Sequence, residues 1–181
     1  MVSSEATGGP VVVLIGPPGA GKSTVAREIA VRTGHDVADT DLLVEEQVGM
    51  TIPDIFIERG EAFFREVEAD VVVDAMSRHR GVLALGGGAI LAQRTQQALS
   101  GHPVVFLDLS LREAVRRTGL DHGRPLLALN PRGAWLRLME ERREIYQRLS
   151  VLRIDTSDMS AAEAAGQVVT ALGLEGDGGD E

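Results

Sequence analysis

The chain has 181 residues and a mass of 19.3 kDa, with 44% hydrophobic and 25% charged residues and a mean hydropathy of +0.03, the profile of one soluble globular domain with a sizeable core. It contains no Cys, which excludes a disulfide scaffold, a thiol nucleophile and a Cys-ligated metal site, and its four His (35, 79, 102 and 122) lack metal-ligand spacing. A net charge of −9, a pI of 4.9 and only six aromatics argue against a nucleic-acid surface.

In chain order, residues 1–10 (MVSSEATGGP) read as a disordered leader, and their lack of Lys and Arg distinguishes them from a secretory or transit peptide. Short apolar runs at 11–15, 35–39, 82–85, 104–109 and 151–155 read as strands. The longest purely aliphatic run, Val11 to Ile15, is too short to span a membrane, so a cytoplasmic, membrane-free protein is expected. Amphipathic stretches at 22–33, 52–78, 111–118, 132–149 and 160–172 read as helices. Near-continuous apolar strands alternating with helices predict an α/β domain over 11–172, with a five-stranded parallel sheet covered on both faces. The longest non-periodic insert, 119–131, is a candidate lid, and the tail 173–181 (GLEGDGGDE) reads as a disordered acidic end.

The first strand runs into Gly16-Pro17-Pro18-Gly19-Ala20-Gly21-Lys22-Ser23-Thr24, which fits G-x-x-x-x-G-K-[ST]. Its glycines let backbone N–H groups turn onto phosphates, and the helix N-terminus that follows adds partial positive charge. Lys22, the only lysine in the chain, would reach the β- and γ-phosphates, and the Ser23 hydroxyl would ligate Mg²⁺. The magnesium carboxylate has two candidate sources, Asp39 and Asp41 closing the second strand or Asp108 closing the fourth.

Between Leu111 and Arg153 there are ten Arg against five acids, either a solvated helix surface or a face that meets a polyanion. The apolar series 135, 138, 139, 145, 146, 149 predicts an apolar residue at 142, and Arg142 stands there, while Arg143 falls on the polar side. An inward guanidinium is costly unless it meets an anion, so Arg142 is either a structural partner of a buried acid or a clamp on a ligand. Arg65 lies on a similar stripe, with Glu68 three residues on to orient it. Gly86-Gly87-Gly88 is either a tight turn or a place where backbone approaches a ligand. Together these groups suggest a small hydroxylated anion as phosphoryl acceptor.

At this level of detail the chain resembles the shikimate kinases. Gly49-Met50-Thr51-Ile52-Pro53-Asp54-Ile55-Phe56, continuing through Gly60-Glu61, Phe64-Arg65 and Glu68, is the most specific block. Asp39-Thr40-Asp41, Leu85–Ala89 and Arg124–Leu127 are similar to further marks of the family. The resemblance implies a nucleoside-monophosphate-kinase-like fold with a lid, and transfer of the γ-phosphoryl group of ATP to the 3-hydroxyl of shikimate, a step toward chorismate and the aromatic amino acids. It implies that Asp41, Arg65, the triplet Gly86, Gly87 and Gly88, and Arg142 hold shikimate, with both arginines on its carboxylate. Lys22, Asp41 and Arg124 would be catalytic. Gly16, Gly19, Ala20, Gly21, Lys22, Ser23, Thr24, Arg117, Arg124 and Asp155 would bind the nucleotide. Mg²⁺ would be held by Ser23 directly and by Asp39 through water, which leaves Asp108 structural, and the protein would act as a monomer. The alternatives are another small-molecule P-loop kinase, of gluconate or nucleotide type, and an inactive nucleotide-binding regulator. The chain departs from the family in having Arg143-Glu144 where a proline commonly follows the late-helix arginine, which predicts a straighter helix, and in lacking an Arg near Met159.

Overall fold

The computed structural model describes residues 8–118 and 130–175. Five strands, β1 (Val12–Ile15), β2 (Val37–Asp39), β3 (Val82–Ala84), β4 (Val104–Asp108) and β5 (Leu152–Asp155), form one parallel sheet in the order β2-β3-β1-β4-β5. Register pairs Val13 with Leu83 on one side of β1 and with Val104 on the other. β1, β3 and β4 are at most 2% exposed along their whole length, which is why they read as unbroken apolar runs rather than as alternating ones.

The helices are α1 (Lys22–Thr33), α2 (Thr40–Val48), α3 (Ile52–Glu58), α4 (Gly60–Arg78), α5 (Gln93–Leu99), α6 (Leu111–Thr118), α7 (Pro131–Leu149) and α8 (Ala161–Leu172). Their boundaries follow local chemistry. Asp39 caps α2 by accepting from the Asp41 N–H at 3.0 Å, Thr51 caps α3, and Ser160 and Glu163 form a capping box on α8. α1 packs against α8, and the main core of β1, β3 and β4 runs into both helices.

Three expectations need correction. The stretch 52–78 is two helices broken at Arg59, because Ile55 and Phe64 turn into a small core of their own with Val44 and Val71. α2 and α5 carry too few buried apolar residues to announce themselves by period. Asp41 does not close β2; the strand stops at Asp39, and Asp41 sits in the first turn of α2. α7 runs unbroken from Pro131 to Leu149. Among the described residues no helix is long and apolar enough to cross a membrane.

Candidate active site

The carboxyl ends of the strands gather most of the residues singled out from the sequence, as an open parallel sheet should. On leaving β1 the chain turns through Gly16–Gly21 into α1, and Gly21 caps that helix in a left-handed conformation, with no side-chain cap. Lys22 Nζ donates to the carbonyls of Gly16 at 2.8 Å and Pro17 at 3.1 Å, so the ammonium is folded over its own loop. Burial pulls its pKa down to about 8, against the opposing pull of Asp41 and Asp39. Ser23 Oγ donates to Asp39 Oδ2 at 2.5 Å. A hydroxyl and a carboxylate oxygen therefore lie side by side at the start of α1, the hard-oxygen pair that Mg²⁺ accepts alongside phosphate oxygens. The described residues contain no group of three or more His, Cys, Asp or Glu that could hold a metal by itself.

Across the cleft, α4 presents Arg65, whose Nη1 donates to Glu68 Oε2 at 2.6 Å. Glu68 is 2% exposed, and burial raises its pKa, while Arg65 offsets that rise. The Gly triplet lies directly beneath these groups. A Cβ on Gly86 would stand 2.5 Å from Asp41 Oδ1 and 2.8 Å from Glu68 Oε1, and one on Gly88 would stand 2.5 Å from both terminal nitrogens of Arg65. The triplet is thus a close approach, not merely a turn. Asp41 is pushed above the ordinary carboxylate range by burial and by Asp39, with Lys22 and Arg65 pulling the other way. From α7, Tyr146 donates to the Gly87 carbonyl at 2.6 Å and stacks on Phe106 with centroids 5.0 Å apart. Arg142 sits one turn before Tyr146, and its charge acts on Tyr146, Glu68 and Lys22. The Nε–H groups of Arg65 and Arg142 are both buried with no hydrogen-bond partner.

The profile of the shikimate kinase family matches residues 18–173. The chain belongs to the shikimate kinase family. It is 48% identical over 168 residues to a shikimate kinase of Thermobifida fusca, covering 93% of this chain and 98% of the relative. With a shikimate kinase of Streptomyces avermitilis it shares 48% identity over 165 residues, covering 91% and 96%. Its fold is similar to that of the shikimate kinase from Acinetobacter baumannii in complex with shikimate, with a TM-score of 0.84 at 34% identity over 92% of this chain and 93% of that one. The shikimate kinase from Aquifex aeolicus gives a TM-score of 0.73 at 28% identity, covering 93% and 99%.

As a shikimate kinase family member the chain is a phosphotransferase, and the remaining sequence-predicted residues can be placed around that chemistry. Arg117 on α6 donates to the Thr156 carbonyl and hydroxyl and, at 3.5 Å, to the Gly19 carbonyl. It lines a cleft with Gly21, Thr24, Thr156, Met159 and Ala164, behind the phosphate loop. Asp155 is not part of that cleft; its exposed carboxylate is spent on the N–H and hydroxyl of Ser157. Arg124, and with it nearly all of the expected lid, lies outside the described residues. Asp108 is structural, 2% exposed, and accepts from Arg143 at 2.5 Å and Arg153 at 2.6 Å. Burial pushes its carboxyl up, but these hydrogen bonds outweigh burial and hold it below its ordinary value. Arg143 stays partly exposed, as its place on the polar side predicts, yet its guanidinium turns back onto Asp108 and makes a structural ion pair of the kind considered for Arg142.

The sequence reading missed two groups. Thr40, wholly buried, accepts the Gly86 N–H at 3.0 Å and ties the triplet to the start of α2. Glu113, on the inner side of α6, holds Arg117 Nε at 2.7 Å and also pairs with Arg116. The signal for Glu113 was present, since an acid four residues before an arginine is a helical pair. Thr40 gave none beyond its place between two aspartates.

Proposed function

We propose that the protein transfers the γ-phosphoryl group of ATP to the 3-hydroxyl of shikimate, giving shikimate 3-phosphate on the route to chorismate and the aromatic amino acids. One observation carries the reading. Two guanidinium groups whose buried Nε–H donors make no hydrogen bond, that of Arg65 lying only 3.6 Å from Glu61 Oε1 as an ion pair, stand close to Asp41 and Lys22. Such a pair suits a planar carboxylate, which accepts charge-assisted hydrogen bonds on both oxygens. A nucleotide acceptor would need a base-stacking surface instead, and among the described residues the aromatics near the acceptor side are engaged with one another or with the small core: Phe56 with Phe64, Tyr146 with Phe106, and Phe63 beneath Arg59.

On this reading Arg65 and Arg142 grip the acceptor carboxylate, and the backbone of Gly86, Gly87 and Gly88 lies against the ring. Asp41 takes or positions the proton of the attacking hydroxyl, for which a raised pKa is an advantage, because a base works best when its pKa approaches the working pH. The Lys22 ammonium would exchange its two loop carbonyls for oxygens of the β- and γ-phosphates. Ser23 and Asp39 would hold Mg²⁺, whose charge would neutralise the phosphate oxygens as the phosphoryl group moves. The cleft of Arg117, Thr156 and Met159 would take the adenine, with Arg117 stacked or edge-on. Arg124 is assigned to the phosphates on the strength of the sequence resemblance, and Asp155 drops out of the nucleotide set. The protein is expected to act as a cytoplasmic monomer.

A coupled ADP-release assay tests this. Release should depend on shikimate, with one phosphate appearing on the acceptor. Release driven by gluconate or a nucleoside monophosphate and not by shikimate would overturn the acceptor, and no release with any acceptor would leave only nucleotide binding.

A further inference from the structure

α7 is fixed to the sheet at two points. Arg143 Nη1 donates to Asp108 Oδ2 at the end of β4, and Tyr146 donates to the Gly87 carbonyl after β3 while stacking on Phe106. On a helix of 3.6 residues per turn, residue 143 lies about 60° to one side of residue 146, and residue 142 about 40° to the other. Apolar packing of Trp135, Met139, Ile145 and Leu149 seats α7 on the core, but that contact is non-directional, and Tyr146 ties only one edge of the helix. The Arg143 bond ties the opposite edge, and the side chain whose place the two ties together settle is Arg142. Asp108 is well suited to be the fixed end. It is 2% exposed, its Oδ1 accepts the Leu109 N–H at 2.8 Å, and its main-chain carbonyl accepts from Thr156.

We infer that Arg143 and Asp108 form a positioning pair that sets the rotation of α7 and so places Arg142 against the acceptor carboxylate. Arg143 itself touches no substrate. The inference rests on the proposed role of Arg142 in acceptor binding. Arg143 can be removed without stranding a buried charge, because Arg153 still pairs with Asp108 through Nε at 2.8 Å and Nη2 at 2.6 Å. The Arg143 side chain is also 38% exposed, so its loss opens no cavity.

The test is steady-state kinetics on the full chain carrying Arg143→Met or Arg143→Lys. A displaced ligand arginine should raise the shikimate KM of Arg143→Met about tenfold, with the ATP KM and kcat within about twofold of wild type, the pattern of lost ground-state binding. Arg143→Lys keeps a charge that reaches Asp108 and should recover most of the loss. The melting temperature of both variants should stay near that of wild type. An unchanged shikimate KM in Arg143→Met, an equal rise in the ATP KM, or a lysine variant as impaired as the methionine one would overturn the pair while leaving the proposed function intact. A wild-type protein that does not phosphorylate shikimate would overturn both, so the wild-type assay separates the two failures.

Discussion

The phosphate half of the cleft is one contiguous stretch of backbone, whereas the acceptor half is made of side chains from several separate elements. Gly16, Gly19 and Gly21 hold φ values of 151°, 86° and 84°, and Lys22 bonds to carbonyls five and six residues away. The acceptor half takes Asp41 from α2, Arg65 and Glu68 from α4, the triplet from the loop after β3, and Arg142 and Tyr146 from α7. Its charges are held by one another, Arg65 by Glu68 and α7 by Asp108. On the proposed reading the difference follows from the ligands. A polyphosphate offers many oxygens that generic N–H donors can meet, while a small hydroxy acid must be recognised by a few directional groups.

The sharpest way to separate the halves is Asp41→Asn. The amide keeps the shape and loses the proton acceptor, so turnover should fall ~10²–10⁴-fold, the range of a general base. Nucleotide binding, measured by calorimetry with Mg-ATP, should change little. A large loss of ATP affinity with turnover per bound complex preserved would show that Asp41 belongs to the phosphate half.

Alanine at one glycine of each half extends the contrast. In Gly16→Ala the new Cβ would stand 2.3 Å from the Leu107 carbonyl oxygen at a φ of 151°, so neither backbone nor neighbour can give way. That variant should lose about 2–4 kcal/mol of stability, read as a shifted denaturant midpoint. In Gly88→Ala the backbone φ of −97° suits any residue, and the obstacle is the Arg65 guanidinium at 2.5 Å, the end of a long side chain. The fold should hold while the shikimate KM rises about tenfold, since a misplaced ligand group costs binding before it costs structure. Equal destabilisation by both substitutions would mean that the acceptor half is as rigid as the loop.

The same contrast governs what could be read from the sequence. The loop was legible because its residues are neighbours in the chain and its spacing alone dictates the chemistry. Arg142 was legible for a different reason: it interrupts an apolar stripe, and an interruption is a signal. Arg143 reads correctly as a polar-side residue, but a helical wheel ranks residues by period and cannot see its partner Asp108, 35 residues away, coming up beneath the helix edge. Thr40 carries no period at all, and its bond to Gly86 spans 46 residues. The sheet was readable for the opposite reason, since full burial of β1, β3 and β4 leaves an apolar code broken only by Asp108 at the end of β4. Long separation hides Thr40 and the partner of Arg143, whereas Glu113 pairs with arginines three and four residues on and carries a local signal.

The smallest expected effect lies where the two halves meet. Lys22 has a pKa lowered to about 8, first by burial and further by Arg142, with Asp41 and Asp39 holding it up. Its ammonium is needed to meet phosphate, so in the free enzyme the competent fraction falls as pH rises through 8, and kcat/KM for ATP should drop about fourfold between pH 7 and pH 8.5. At saturating ATP the bound phosphates stabilise the charged form, so kcat itself should hold to a higher pH. Lys22→Arg, whose guanidinium stays charged, should flatten the profile whatever activity remains. Removing the negative charge of Asp41 takes away one of the two groups that raise the Lys22 pKa, so the alkaline fall in Asp41→Asn should begin at a lower pH than in wild type. A fall that Lys22→Arg retains would assign it to another group, and a fall that Asp41→Asn leaves in place would mean that the two halves titrate independently.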